Sequence, residues 1–160
     1  MTRIHLVGIG GTGLSAIARV LLEMGHTVSG SDRAESSFTR DLQSAGATIH
    51  IGHSPENVVG ADLVVRSSAI PDDNPEVVAA RASRIPVVKR ADFLGSLMDG
   101  KTGVTIAGTH GKTTTTAMLA WLLTALAQEP TFIVGGVLAN LGVNARAKGS
   151  QYAIRHAGDG

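Results

Sequence analysis

The stretch RIHLVGIGGTGLSAIARVLLEMG, Arg3 to Gly25, decides how the rest of the chain is read. Ile4, Leu6 and Val7 form a short apolar run that stops at Gly8, the mark of a buried strand rather than a helix. Leu14, Ile17, Ala18, Leu21 and Leu22 then recur at the spacing of one helical face, and Gly25 supplies a stop. Thr27 to Gly30 reads as a second strand running out at Ser31 and Asp32, so strand, glycine turn, helix and strand close a unit of about thirty residues.

Outward from this unit the alternation continues. A polar helix is expected over 36–44, strands over 48–51 and 62–66, and a helix from Pro75 to Ala82, where proline suits the first turn because its missing N–H has no partner there. Pro86 opens a brief strand at Val87 and Val88, and a helix over about 91–98 follows. Asp99-Gly100-Lys101 is turn-like, and after it the strand, glycine loop and helix pattern starts afresh, which predicts one unit over residues 1–99 and the start of a second over 100–160. The second contains a strand over 104–107, a helix over 113–126 and a strand from Thr131 to Val134 ended by Gly135-Gly136. Met118, Leu119, Leu122, Leu123 and Leu126, with Trp121 beside them, form a stripe expected to be core. The fold class is α/β: a Rossmann-like parallel sheet flanked by helices, followed by a partial second α/β phosphate-loop unit.

Composition narrows the function classes. With 43% hydrophobic and 17% charged residues in 160, the chain has ample material for a core. It lacks cysteine, which excludes disulfides, thiolate zinc sites and a cysteine nucleophile and favours a cytoplasmic home. No leader pattern opens it and no run of about 18 apolar residues occurs, so no membrane association is expected. The net charge of +1 gives no reason to expect a nucleic-acid partner. Residues 1–100 hold 9 Lys and Arg against 11 Asp and Glu, whereas residues 101–160 hold 5 against 2, so the basic excess falls in the second unit.

Two glycine loops carry the chemistry. Gly8-Ile9-Gly10-Gly11-Thr12-Gly13 matches G-x-G-x-x-G between a strand and a helix, where main-chain N–H groups and the helix terminus can receive a pyrophosphate. Asp32, about twenty residues on, is placed to accept hydrogen bonds from a ribose. Gly108-Thr109-His110-Gly111-Lys112-Thr113-Thr114 also follows a strand and opens a helix, with Lys112 as a cation for β and γ phosphates and Thr113 as a hydroxyl ligand for Mg²⁺. The position five residues before Gly111 is Ile106 rather than glycine, so this loop is shorter than the full Walker form. A nest of amides beside a lysine suits the triphosphate of ATP. Among the other polar residues, Arg66 is expected to be a solvated strand-end charge, and His53 stands out among the histidines only for its Gly-His turn.

Together with Ser29-Gly30-Ser31-Asp32, Ser67-Ser68-Ala69-Ile70, Asp73-Asn74-Pro75 and Pro130 to Gly136, the two loops resemble the Mur ligases over about residues 3–154. The histidine in the phosphate loop resembles the members that join L-alanine to UDP-N-acetylmuramate, with the murein tripeptide recycling ligases nearest to them. The resemblance implies a Rossmann-like UDP-sugar domain, a central ATPase domain and a C-terminal domain, of which only the first is expected to be complete here. It implies that Gly10, Gly11, Thr12 and Gly13 hold the UDP diphosphate and that Asp32 and Ser68 lie near the uridine. Gly108, Thr109, His110, Gly111, Lys112, Thr113 and Thr114 would serve ATP, with Lys112 catalytic and Thr113 on the metal.

The sequence departs from the family pattern at its end. A Glu-Ala-Asp-Glu segment whose first glutamate binds the metal is replaced by Arg155-His156-Ala157-Gly158-Asp159-Gly160, with His156 in the glutamate's place. A truncated or frame-disrupted product with weakened Mg²⁺ binding and no ligase turnover of its own is expected. Competing readings are a nicotinamide-dependent oxidoreductase, which leaves Gly108 to Thr114 unexplained, and a noncatalytic nucleotide-binding module.

Overall fold

Strand β1 (Arg3–Val7) carries Ile4, Leu6 and Val7 almost wholly out of solvent, and His5 between them is fully buried as well. Burial on both faces marks a central strand of a parallel sheet. In the computed structural model, which describes residues 1–148 and 152–156, β1 lies between β2 (Thr27–Asp32) and β4 (Leu63–Arg66). Outside these come β3 (Thr48–Ile51) and β5 (Val87–Lys89), giving the all-parallel order β3-β2-β1-β4-β5. The order reverses at β1, so the crevice beyond the carboxyl ends of β1 and β4 is where such sheets take ligands.

Helices α1 (Thr12–Glu23), α2 (Ser37–Ser44) and α3 (Pro75–Ala82) make three of the crossovers, a 3-10 turn at Pro55–Val58 lies in the β3 to β4 connection, and α4 (Arg90–Ser96) follows β5. Ser36 caps α2 through a reciprocal pair with Thr39, each side chain bonding the other's N–H. Pro75 sits at the start of α3 with the Asn74 side chain accepting from Glu76 N–H. A second sheet has the order β6-β9-β7-β8, built from β6 (Thr102–Ile106), β7 (Thr131–Leu138), β8 (Val143–Arg146) and β9 (Tyr152–His156), with α5 (Lys112–Ala125) packed on it. The two sheets meet on α1, where Ile133 and Ala145 join the apolar cluster of Leu14, Ile17 and Leu21.

Three expectations are corrected. The stripe with Met118 and Trp121 is core only in part: Leu119 and Leu123 pack against the buried cluster of Ala120, Phe132 and Ile154, whereas Met118 is 67% exposed, Trp121 46%, Leu122 47% and Leu126 59%. Helical spacing identifies an apolar face without saying which neighbour covers it. Strand β7 runs through Gly135-Gly136 to Leu138: β9 pairs with it over Thr131 to Ile133, and β8, a strand not foreseen, pairs with it antiparallel at Phe132 and Ile133 and again at Leu138, with the register shifting across the glycines between. Arg66 is not solvated: it is 6% exposed, bonds the Ile70 carbonyl and reaches Asp72 at 3.0 Å.

The fully buried carboxylate of Glu76 ties four segments together. It accepts from Ser31 Oγ at 2.6 Å, Asn57 Nδ2 at 2.6 Å and His53 Nδ1 at 3.0 Å, while His5 Nε2 stands 3.5 Å away. Burial pushes this carboxyl up, but the nearby His5 imidazole and the bonds from Ser31, Asn57 and His53 outweigh burial and hold it at about 2, against an ordinary value of 4.5. A folded value below the unfolded one stabilises fully above about pH 5, and that stabilisation is lost as pH falls through 4.5 toward 2. At about 1.4 kcal/mol per unit the loss is roughly 3 kcal/mol. Denaturant melts across this pH range are expected to show it, and Glu76→Gln, already destabilised at neutral pH, is expected to lack that share of the acid limb.

Candidate functional site

The first corner lies at the end of β1. Gly8 takes a positive φ of 88°, and Gly8 and Ile9 donate their N–H groups to Ser31 O at 2.8 and 3.0 Å, fastening the turn to β2. Gly11 N–H donates to Gly8 O, and Gly10 N–H donates to Asp32 Oδ2 at 2.8 Å. The amides of Gly10 and Gly11 are therefore used inside the turn. Among the described residues nothing accepts from Thr12, Gly13 or Leu14 N–H, and the N-cap Gly11 offers no side chain to them. Those three amides, at the positive end of α1, are the donors left for an anion.

Asp32 was expected to serve a ribose; in the fold it also braces the turn, with Oδ1 accepting from Arg33 N–H. An ionised carboxylate has about four acceptor sites, so these two bonds leave capacity for a further donor. Beside it opens a cavity of about 380 Å³ walled by Gly10, Asp32, Arg33, His53 and Ser67. The Glu76 carboxylate holds His53 there, an arrangement missed in the sequence, where Asn74-Pro75-Glu76 signals a helix start but not an inward-facing acid.

The second corner follows β6. Gly111 is the N-cap of α5 in the left-handed region, at φ 77°, and gives Thr113 and Thr114 N–H no side-chain cap. No acceptor among the described residues takes either amide. Lys112 Nζ donates to Gly108 O at 2.8 Å, folding the side chain back over its own loop. Thr109 and His110 are exposed at the tip.

A cleft of about 390 Å³ joins the corners, walled by Gly13, Ser68 and Arg90 on one side and Thr113, Gly135 and Arg155 on the other. It shares Gly8, Gly11 and Ser67 with the cavity beside Asp32, so the two spaces adjoin. The structure thus brings Gly11, Thr12, Gly13, Ser68 and Thr113 to one cleft, while Gly10 and Asp32 face the adjoining cavity. Ser68 and Asp32 lie on different spaces. Lys112, Thr114 and Gly108 to Gly111 stand off the cleft wall.

Fold and site define an α/β protein in which the first glycine corner and Thr113 of the second line one cleft. Residues 3–102 match the family described as "Mur ligase family, catalytic domain", and the chain belongs to the Mur ligase family. It is 54% identical over 151 residues to the UDP-N-acetylmuramate--L-alanine ligase of Bordetella petrii, covering 94% of this chain and 32% of that protein. With the ligase of the same name from Polynucleobacter asymbioticus it shares 56% identity over 144 residues, 90% of this chain and 30% of the other. The crystal structure of UDP-N-acetylmuramate-alanine ligase MurC from Thermotoga maritima superposes with a TM-score of 0.88 at 35% identity, over 97% of this chain and 37% of that one. The chain spans about a third of the length of the curated relatives it matches.

Gly30 on β2 supports the first corner by having no side chain. A Cβ there would stand 2.7 Å from the Leu6 carbonyl oxygen and within 2.8 Å of two Ile9 carbons. Gly30→Ala is expected to cost roughly 1–3 kcal/mol through overpacking, read as a lower thermal midpoint, and to displace the fingerprint turn.

Proposed function

We propose that the chain is the nucleotide-sugar-binding part, together with the ATP phosphate loop, of a ligase that joins L-alanine to UDP-N-acetylmuramate. The carrying observation is that Gly13 and Thr113, whose amides have no acceptor among the described residues, line one cleft, so two polyphosphates can lie within reach of each other. The named relatives at 54% and 56% identity support the choice of substrates. On this reading residues 1–99 form the UDP-sugar unit and residues 100–160 begin the ATP unit, and the setting is cytoplasmic. Among the described residues no helix is long and apolar enough to cross a membrane.

In the proposed reaction the lactyl carboxylate of UDP-N-acetylmuramate attacks the γ-phosphorus of ATP, releasing ADP and leaving an acyl phosphate. The amine of L-alanine then attacks the acyl carbon, forms the amide and expels phosphate. Catalysis of this kind rests on positioning and charge stabilisation. Lys112 would exchange its bond to Gly108 O for the β and γ phosphates, with Gly108 to Gly111 and the amides of Thr113 and Thr114 around them. The exposed hydroxyl of Thr113 is a hard oxygen suited to Mg²⁺, which commonly takes one or two protein ligands and completes its shell with phosphate oxygens and water. Bound there, Mg²⁺ would neutralise charge developing on the phosphates. The amides of Thr12 to Leu14 would take the UDP diphosphate, and Asp32 the ribose.

His156 pairs with Ile106 in β9, where the family resemblance places a metal-binding carboxylate. An imidazole suits Mg²⁺ poorly. This chain alone is therefore expected to bind nucleotides and to give no ATP- and alanine-dependent product; measured turnover overturns that expectation.

Calorimetric titration tests the binding reading. UDP and Mg-ATP are expected to bind the chain and NAD is not; NAD binding without a response to UDP makes the protein an oxidoreductase instead. Lys112→Ala is expected to weaken ATP at least about tenfold, as loss of a charge-assisted bond does, with UDP affinity unchanged.

A further inference from the structure

We propose that Arg90 is a binding residue for the diphosphate of the nucleotide sugar, its guanidinium lying over the first turn of α1 on the same wall of the cleft. The inference rests on the UDP-sugar reading above. Arg90 opens α4 directly after β5 and is half-buried on the cleft wall. Its guanidinium lies against Gly13: a Cβ at that position would stand 2.8 Å from Nη1, 3.1 Å from Cδ and 3.2 Å from Cζ. The fork is thus held beside the Gly13 amide, one of the three N–H groups without an acceptor.

The surrounding charges point the same way. Arg66 and Arg81 on the same unit both pair with Asp72, at 3.0 and 2.6 Å, whereas no carboxylate among the described residues pairs with Arg90. The wall of the cleft contains no acidic residue among those described, and Arg155 contributes a second guanidinium across from Arg90. Two arginines and open amides without a counter-charge form a polyanion site. The planar fork of arginine can bridge two phosphate oxygens, which a lysine cannot do. Gly13 acquires a reason beyond the turn: a side chain there would push the fork off the helix end.

UDP, uridine and Mg-ATP titrated into the 160-residue chain and its variants test this. Arg90→Gln is expected to weaken UDP at least about tenfold, leaving uridine and ATP affinity unchanged. Arg90→Lys is expected to recover only part of the loss. Gly13→Ala, which leaves Arg90 in the sequence but displaces its fork, is expected to weaken UDP in the same direction. Thermal midpoints of the variants report whether they are folded. UDP affinity equal to the parent in Arg90→Gln overturns the role of Arg90 and leaves the nucleotide-sugar reading standing. A loss confined to ATP, or one shared equally by uridine and UDP, overturns it too. A parent chain that ignores UDP refutes the underlying reading, and the role of Arg90 with it.

Discussion

Both sheets rest on one helix. The residues of α1 from Leu14 to Ala18, with Val20 and Leu21, are buried nearly all round, because β1 and β2 cover one side and β7 and β8 the other. Each of Leu14, Ile17, Val20 and Leu21 contributes about 1.5–3 kcal/mol by leaving water. Polar stitches run along the same seam: Asn144 Nδ2 donates to Thr12 O, and Ala147 N–H donates to the Glu23 carboxylate. With the helix clamped at both ends, its open N-terminus is aimed where the first sheet reverses order and the second sheet begins. The cleft follows from that packing.

Carboxylates are used sparingly around it. Asp32 is spent largely on the backbone of the turn, and Glu76 is sunk behind the sheet among hydrogen-bond donors, where it orients His53 toward the cavity. Neither stands on the wall of the cleft between the two glycine corners. Negative charge is thus kept structural and positive charge is left facing the open space, an arrangement that favours anionic ligands without any large net charge on the chain.

What could be read from the amino acids alone was whatever is local. Gly8 to Gly13 and Gly108 to Thr114 were legible because a turn, a helix start and an apolar period are each written within a few residues. Ser36, Pro75 and Gly25 marked helix ends for the same reason. Arg66 and Glu76 were not legible, since a charged residue is assumed solvated until its partners, distant in sequence, are brought to it. Trp121 and Met118 misled in the opposite sense, as an apolar stripe whose cover cannot be inferred from spacing. Gly135-Gly136 suggested a strand end, but pairing with β8 resumes at Leu138 beyond a register shift, and Val143 to Arg146 was too short and polar to declare itself a strand. The spatial pairing of Arg90 with Gly13 likewise exists only after folding.

Strand β9 lies between β6 and β7 although it comes after both in the chain. The first sheet has all five strands once residue 89 has been made, whereas β6, the strand leading into Gly108 to Thr114, has no ladder partner other than β9 among the described residues. During synthesis from the N-terminus, the first glycine corner can mature early, while the second stays on an unsupported strand until residues 152–156 have left the ribosome. That interval is when chaperone capture or mispairing of an orphan edge has its best opportunity.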